Sequence, residues 1–203
     1  MPKRIASILK DIRALEAELE TELHRRQRQL RYTIRHRRVI FDLSVLREHR
    51  AHRTPLWRYL LTARPHFYLT APIIYGMIVP LVLLDLFATL YQWLCFPMYG
   101  IARVPRRDHF VYDRAALAYL NLAEKLNCLY CSYANGFASY LREIGARTEQ
   151  YWCPIKHARN IVATHGRYHE FVDYGDARGY RRGLQGLQEK LKPRQSPRRY
   201  LQK

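Results

Sequence analysis

Three cysteines and one histidine have a spacing that suits a metal site. Cys128 and Cys131 form a C-x-x-C pair, and Cys153 is followed by Pro154 and His157. Proline favours the first turn of a helix, so we expect Cys153 at a helix N-terminus, where the thiolate form is stabilised. Three thiolates and one imidazole would complete a tetrahedral zinc site. An iron–sulfur cluster, a redox dithiol and ordinary buried side chains are the alternatives.

A second histidine pair gives a weaker metal signal. His165 and His169 are four residues apart, with Glu170 and Asp173 close behind. On a helix such a pair shares one face and could bind a metal ion for hydrolytic or redox chemistry. Surface and capping roles are the competing interpretation. The sequence shows no nucleophile-elbow, P-loop or dinucleotide-binding motif, so enzymatic activity stays open and a binding role is favoured.

The most hydrophobic stretch covers residues 67–101 and contains one charged residue, Asp85. Such a run favours a membrane segment, with Pro72 and Pro97 marking its ends and Pro80 bending it. A single span would place Asp85 near mid-membrane, at a cost of at least ~2.5 kcal/mol. We therefore expect a kinked helix or a re-entrant or interfacial hairpin; a true span and a buried core hairpin are the alternatives.

The distribution of charge bears on the topology of that segment. The chain of 203 residues has a net charge of +18, with +9 in residues 1–66 and +10 in residues 102–203. Because cytoplasmic flanks carry the excess of Lys and Arg, equal basic flanks predict that both termini are cytoplasmic. The N-terminus lacks the continuous apolar region of a signal peptide, and four cysteines are too few for a disulfide scaffold.

Residues 3–24 predict an amphipathic helix that could pair with a second copy or with a partner protein. Its apolar stripe is Ile5, Ile8, Ile12, Leu15 and Leu19. Residues 23–41 contain no acid and predict a basic helix that binds anionic lipid. Its arginines are Arg25, Arg26, Arg28, Arg31, Arg35, Arg37 and Arg38. Nucleic acid is the lowest-ranked partner, because a membrane segment already explains neighbouring arginines.

These elements predict an all-α protein. The proposed parts are a basic amphipathic region (1–66), the membrane segment (67–101), a helical Cys/His module (102–189) and a disordered basic tail (190–203). Within the module, Asp113 would cap a helix over 114–127, Asn135-Gly136 would break the chain and Gly145 would stop the next helix.

The stretch LNCLYCSYANGFASYLREIGARTEQYWCPIKHAR, with the apolar segment before it, resembles the signature block of an uncharacterised family of bacterial membrane-associated proteins. The resemblance covers roughly residues 58–180. It implies the bacterial inner membrane and keeps Cys128, Cys131, Cys153 and His157 in one module, but it implies no activity. The sequence therefore predicts a membrane-anchored metal-binding adaptor, assembly factor or sensor. An iron–sulfur redox protein, a metal-dependent enzyme and a nucleic-acid-binding protein are the alternatives.

Overall fold

The computed structural model describes residues 3–35 and 38–193. Helix makes up 68% of it and strand 5%, which confirms the predicted mainly helical class. The chain packs as two compact units: Met1–Ala63 with Asp113–Leu129, and Arg64–Tyr112 with Tyr130–Lys203. The apolar segment and most of the predicted Cys/His module therefore belong to the second unit.

The helices and strands follow one another along the chain. They are α1 (Lys3–Gln29), β1 (Tyr32–Arg35), β2 (Arg38–Phe41), α2 (Leu43–Ala51), α3 (Leu56–Thr62), α4 (Pro65–Gly76), α5 (Ile78–Met98), α6 (Leu122–Trp152) and α7 (Ala177–Glu189).

The first unit begins with α1, which starts where the amphipathic helix was predicted, runs five residues past its predicted end at 24 and includes the first part of the predicted basic helix. Residues 32–35 and 38–41 instead form the two strands of an antiparallel hairpin, in which Tyr32 pairs with Phe41 and Arg35 with Arg38. The prediction of a basic helix over 23–41 is therefore wrong beyond Gln29. The helix cannot continue through Arg31, which has a left-handed φ of 52°. The strand segments YTIR and RVIF that follow are rich in β-branched and aromatic residues, which favour strand.

The start of α6 also belongs to the first unit and differs from the prediction. Asp113 opens only a short 3₁₀ turn, and α6 begins nine residues after that turn starts. Asn121 caps α6 instead: its Oδ1 accepts the Glu124 N–H at 3.0 Å, and Glu124 Oε2 accepts the Asn121 N–H at 2.8 Å. This reciprocal pair satisfies two backbone donors that no intrahelical carbonyl can reach, which fixes the start of the helix.

In the second unit, α4 and α5 continue into each other. Residues Pro65–Met98 are long and apolar enough to cross a membrane. The helix begins at Pro65 rather than Pro72, and Pro97 lies one residue before its end. The helix is interrupted at Met77, three residues before Pro80. Pro80 accounts for the interruption, because it has no backbone N–H to donate to the carbonyl of Gly76 four residues earlier. The Met77 N–H still bonds to Ile73, so this segment is a kinked helix and no hairpin forms within it.

The core of the second unit lies between α5 and α6, which run side by side in the same direction. Contacts advance along both helices together: Asp85 meets Tyr133, Gln92 meets Tyr140, and Tyr99 meets Tyr151. The buried core includes Ala88, Phe96, Ile101, Val104, Phe137, Tyr140 and Ile144. The α5–α6 pair thus positions Asp85, Thr89, Gln92, Tyr133 and Tyr140 of the site described below, and the segment after α5 brings Arg106 and Phe110 to them.

Helix α6 runs unbroken through the predicted interruptions at Asn135-Gly136 and Gly145. Gly136 is required by packing rather than by a turn, since a Cβ there would lie 3.0 Å from the carbonyl oxygen of His109. The first residues of the predicted disordered tail are ordered: Leu191 is buried and its carbonyl accepts the Ala102 N–H at 2.7 Å. Residues 194–203 lie outside the described part of the chain.

Candidate functional site

The single acid of the apolar segment is buried and fully partnered. Asp85 is 7% exposed, and its Oδ1 and Oδ2 accept Arg106 Nη1 and Nη2 at 2.5 and 2.8 Å. The Tyr133 hydroxyl donates to Oδ2 at 2.9 Å, and Thr89 donates to Oδ1 at 3.3 Å. A two-pronged guanidinium–carboxylate pair with two further donors compensates the desolvation of the carboxylate.

Arg106 is held over the core by aromatic rings as well as by its ion pair. Its guanidinium carbon lies 4.4 Å from the ring centre of Phe110 and 5.1 Å from that of Tyr140, within reach of cation–π attraction. The bond to Asp85 raises the pKa of Arg106 above its usual value. Burial, together with the bond to Asp85, raises the pKa of Tyr133 to about 12, so the phenol stays protonated and donates at neutral pH.

Gln92 extends the polar row two turns beyond Asp85. It is 5% exposed, its amide nitrogen donates to the Tyr140 hydroxyl, and its Oε1 accepts the backbone N–H of Val104 at 2.9 Å. Asp85, Thr89 and Gln92 therefore lie on one face of α5, and each is bonded to another part of this unit. We call this face the polar seam.

The opposite face of α5 is apolar and open. Leu86 is 62% exposed and Trp93 57%, against 7% for Asp85. We call this surface the outer face; it comprises Val79, Leu83, Leu86, Leu90, Trp93 and Leu94. Soluble proteins bury their apolar stripes and expose their polar ones, and α5 has the reverse arrangement.

A second polar cluster fastens the C-terminal segment to α6. Glu143 accepts Arg147 Nε at 2.8 Å and Arg167 Nη2 at 2.8 Å, and Arg167 also donates to Gln150 at 3.0 Å. Burial alone would raise the pKa of Glu143, but the hydrogen bonds from Arg167 and Arg147 outweigh it and lower that pKa. Since each of these groups is paired within the protein, we interpret the cluster as one that stabilises the fold.

The structure does not bring the predicted metal ligands together. Cys131 lies in α6 and Cys153 follows its last residue, about 33 Å away at 1.5 Å per residue. Cys128 lies one turn before Cys131. Among residues 3–35 and 38–193, no three His, Cys, Asp or Glu side chains group as a metal site would need. Zinc and iron–sulfur binding stay predictions of the sequence.

The surroundings of Cys153 also differ from the prediction. Residues 154–160 form no helix; Ile155 instead bridges to Val172. Cys153 therefore follows the C-terminus of α6 and does not open a new helix. The His157 backbone N–H donates to the Tyr168 hydroxyl at 2.6 Å, so His157 is anchored through its main chain.

The second histidine pair is divided between two roles. His165 is partly buried; its Nε2 lies 3.0 Å from Glu149 Oε2, and its Nδ1 accepts the Arg167 N–H at 3.2 Å. His169 is exposed on a short 3₁₀ turn. Both ring nitrogens of His165 are occupied by protein partners, so its present geometry serves packing.

The predicted lipid-binding arginines lie on different elements of the first unit. Arg25, Arg26 and Arg28 end α1, and the three others that are described, Arg31, Arg35 and Arg38, lie in or beside the hairpin. All six are exposed. Arg37 lies outside the described residues.

Sequence reasoning singled out Asp85 but missed its partners. Asp85, Thr89 and Gln92 recur at steps of four and three in an otherwise apolar run, a spacing that places them on one helix face. That signal could have predicted a polar seam. Arg106 and Tyr133 are brought to Asp85 only by the tertiary fold, and nothing in their local sequence marks them.

No family model, curated protein or solved structure matches the chain.

Proposed function

We propose that this protein is a membrane-anchored adaptor or assembly factor of the bacterial cytoplasmic membrane, with both termini in the cytoplasm. The observation that carries the proposal is the reversed polarity of α5: its polar seam faces its own protein and its outer face is open and apolar. Lipid contact would remove this outer face from water, which stabilises it by roughly 25 cal/mol per Å² of apolar surface.

The position of Arg106 supports an orientation in the membrane plane. Asp85 lies near the middle of Pro65–Met98, and Arg106 contacts it directly. A perpendicular span would carry Arg106 to mid-bilayer together with Arg107, whose side chain is 77% exposed. Arginine at that depth costs at least ~2.5 kcal/mol. With α5 lying flat, the outer face enters one leaflet and the arginines stay in water, in accord with basic flanks on one side.

Helix α1 supports the adaptor role. Its described side chains are all exposed, and the predicted apolar stripe continues along it; Ile12 is 46% exposed and Leu15 64%. Helix α1 has 27 residues and buries none of its described apolar side chains. Intrinsic helix propensity alone gives such a helix little stability in water. We infer that a partner helix, from a second copy or another protein, covers this stripe. Metal binding is not part of this proposal, because α6 separates Cys131 from Cys153.

Flotation with vesicles of anionic phospholipid tests the membrane assignment. We expect the wild type to float and the double variant Leu86→Glu with Leu90→Glu to stay in the dense fraction. Removing two leucines that are 62% and 46% exposed in the protein, and that lipid would cover, costs about 2 kcal/mol or more, and the two added charges increase that loss. The matched control, Leu15→Glu with Leu19→Glu, changes equally exposed leucines on α1 and should float. Equal flotation of both double variants would contradict the proposal.

A further inference from the structure

An apolar groove runs between α5 and α6 beside the outer face. It is open to the surface along one side and has a volume of about 540 Å³. Leu84, Phe87 and Tyr91 form one wall, and Leu141, Thr148 and Trp152 form the other. Gly145 lies between the walls, and a Cβ at that position would meet no atom within 4 Å. The open space above Gly145 is thus part of the groove.

The groove is continuous with the surface that we propose to contact lipid. Phe87 is 65% exposed and Leu84 47%, and both lie within one turn of Leu83 and Leu86 of the outer face. The two hydroxyl groups in the walls satisfy each other, since Tyr91 Oη and Thr148 Oγ1 are 3.0 Å apart, and Glu149, which also lines the groove, has its Oε2 3.0 Å from His165 Nε2. The walls therefore offer apolar contact without an unpaired hydroxyl, which favours an apolar occupant.

The size of the groove distinguishes between possible occupants. From Leu141 to Trp152 the groove follows α6 for roughly 16 Å. Its volume of about 540 Å³ then corresponds to a mean cross-section of roughly 30 Å², so the groove is narrow and open along one side. A single extended hydrocarbon chain can lie in it along its whole length, whereas a helix 10–12 Å across could insert only one row of side chains.

We propose that this groove binds one acyl chain of a phospholipid taken from the leaflet that the outer face enters. The inference rests on the proposed membrane anchoring and adds a specific lipid site to it. The bound chain would extend the apolar contact from the outer face to Ile144 and Trp152, and so join α6 to the bilayer through lipid.

Quenching of Trp152 by dibrominated phosphatidylcholine tests the proposal. The chain has two other tryptophans, Trp57 and Trp93, which are replaced by Phe so that Trp152 alone reports. Gly145→Phe fills the groove from open space, and Gly145→Ala is the matched control that leaves it empty. With brominated vesicles we expect strong quenching in the parent and in Gly145→Ala. In Gly145→Phe the quenching of Trp152 should fall roughly twofold or more, because the phenyl ring occupies the space in which the acyl chain would contact the groove.

Flotation of the same variants separates this proposal from the membrane assignment. If all three proteins float and Gly145→Phe is quenched as strongly as Gly145→Ala, the groove proposal is overturned and the anchoring stands. If the parent fails to float, the proposed function fails first. Circular dichroism of each variant establishes that the helices are intact.

Discussion

Removing Arg106 should destabilise the protein far more than removing its exposed neighbour. Arg106→Met deletes two charge-assisted hydrogen bonds, of 2.5 and 2.8 Å, and leaves Asp85, which is 7% exposed, without its counter-charge. Breaking a buried pair in this way costs about 3–5 kcal/mol. The Arg106 side chain is 42% exposed, so solvent screening reduces the expected loss to about 2–3 kcal/mol.

A double-variant cycle shows whether the loss comes from the pair. Asp85→Leu alone should cost about 1 kcal/mol or less, because Arg106 can turn to solvent. The double variant Asp85→Leu with Arg106→Met should recover most of the stability, since an apolar pair replaces the ionic one without leaving a buried charge. The two losses are thus strongly non-additive.

Thermal unfolding in mild detergent, followed by circular dichroism, measures the cycle. For a protein of this size the Arg106→Met loss corresponds to a Tm lowered by roughly 5–10 °C. Arg107→Met is the control, because its side chain is 77% exposed and should change stability by less than about 0.5 kcal/mol. If Arg106→Met and Arg107→Met unfold at the same temperature, or if the double variant is the least stable, the reasoning about the polar seam is refuted.

Three further outcomes are expected. Glu143→Gln should lower the free energy of unfolding by about 2 kcal/mol at pH 7. Because the folded pKa of Glu143 is lowered from 4.5, this difference from wild type should hold above pH 4.5 and shrink as the pH falls below it. Urea unfolding at several pH values measures the difference. Gly136→Ala should destabilise by about 1–3 kcal/mol, since its Cβ would crowd His109, whereas Gly145→Ala should stabilise by up to about 1 kcal/mol; comparing their Tm values checks the sign of each. Elemental analysis with an optical spectrum of anaerobically purified protein should find less than one zinc or iron per chain, and a stoichiometric metal that Cys131→Ser removes would overturn that expectation.

Local sequence patterns predicted the helices whose formation depends on neighbouring residues. The periodic stripe of α1 marked a long helix, and the apolar run around Asp85 marked the segment that the structure forms as α4 and α5. Helix periodicity depends only on neighbouring residues, so it survives without knowledge of the tertiary fold.

Other elements depend on distant partners and were missed. Asn135-Gly136 resembles a helix break, but Gly136 is small because the chain at His109 packs against it. The continuous α6 then separates Cys131 from Cys153, which the sequence interpretation had placed together. The strands at residues 32–35 and 38–41 were also missed, although their cause is local: their β-branched and aromatic residues favour strand, and the prediction followed their arginines instead.

Depth measurements along the outer face test the central claim most directly. Nitroxide labels at Val79, Leu83, Leu86, Leu90 and Leu94, each introduced through cysteine in a background without native cysteines, report immersion by EPR power saturation in anionic vesicles. If α5 lies in the membrane plane, all five labels should show similar, shallow depths, and a label at Arg107 should be in water. Depths that increase from Val79 to a maximum at Leu86 and decrease again at Leu94 would indicate a spanning helix and would contradict the account.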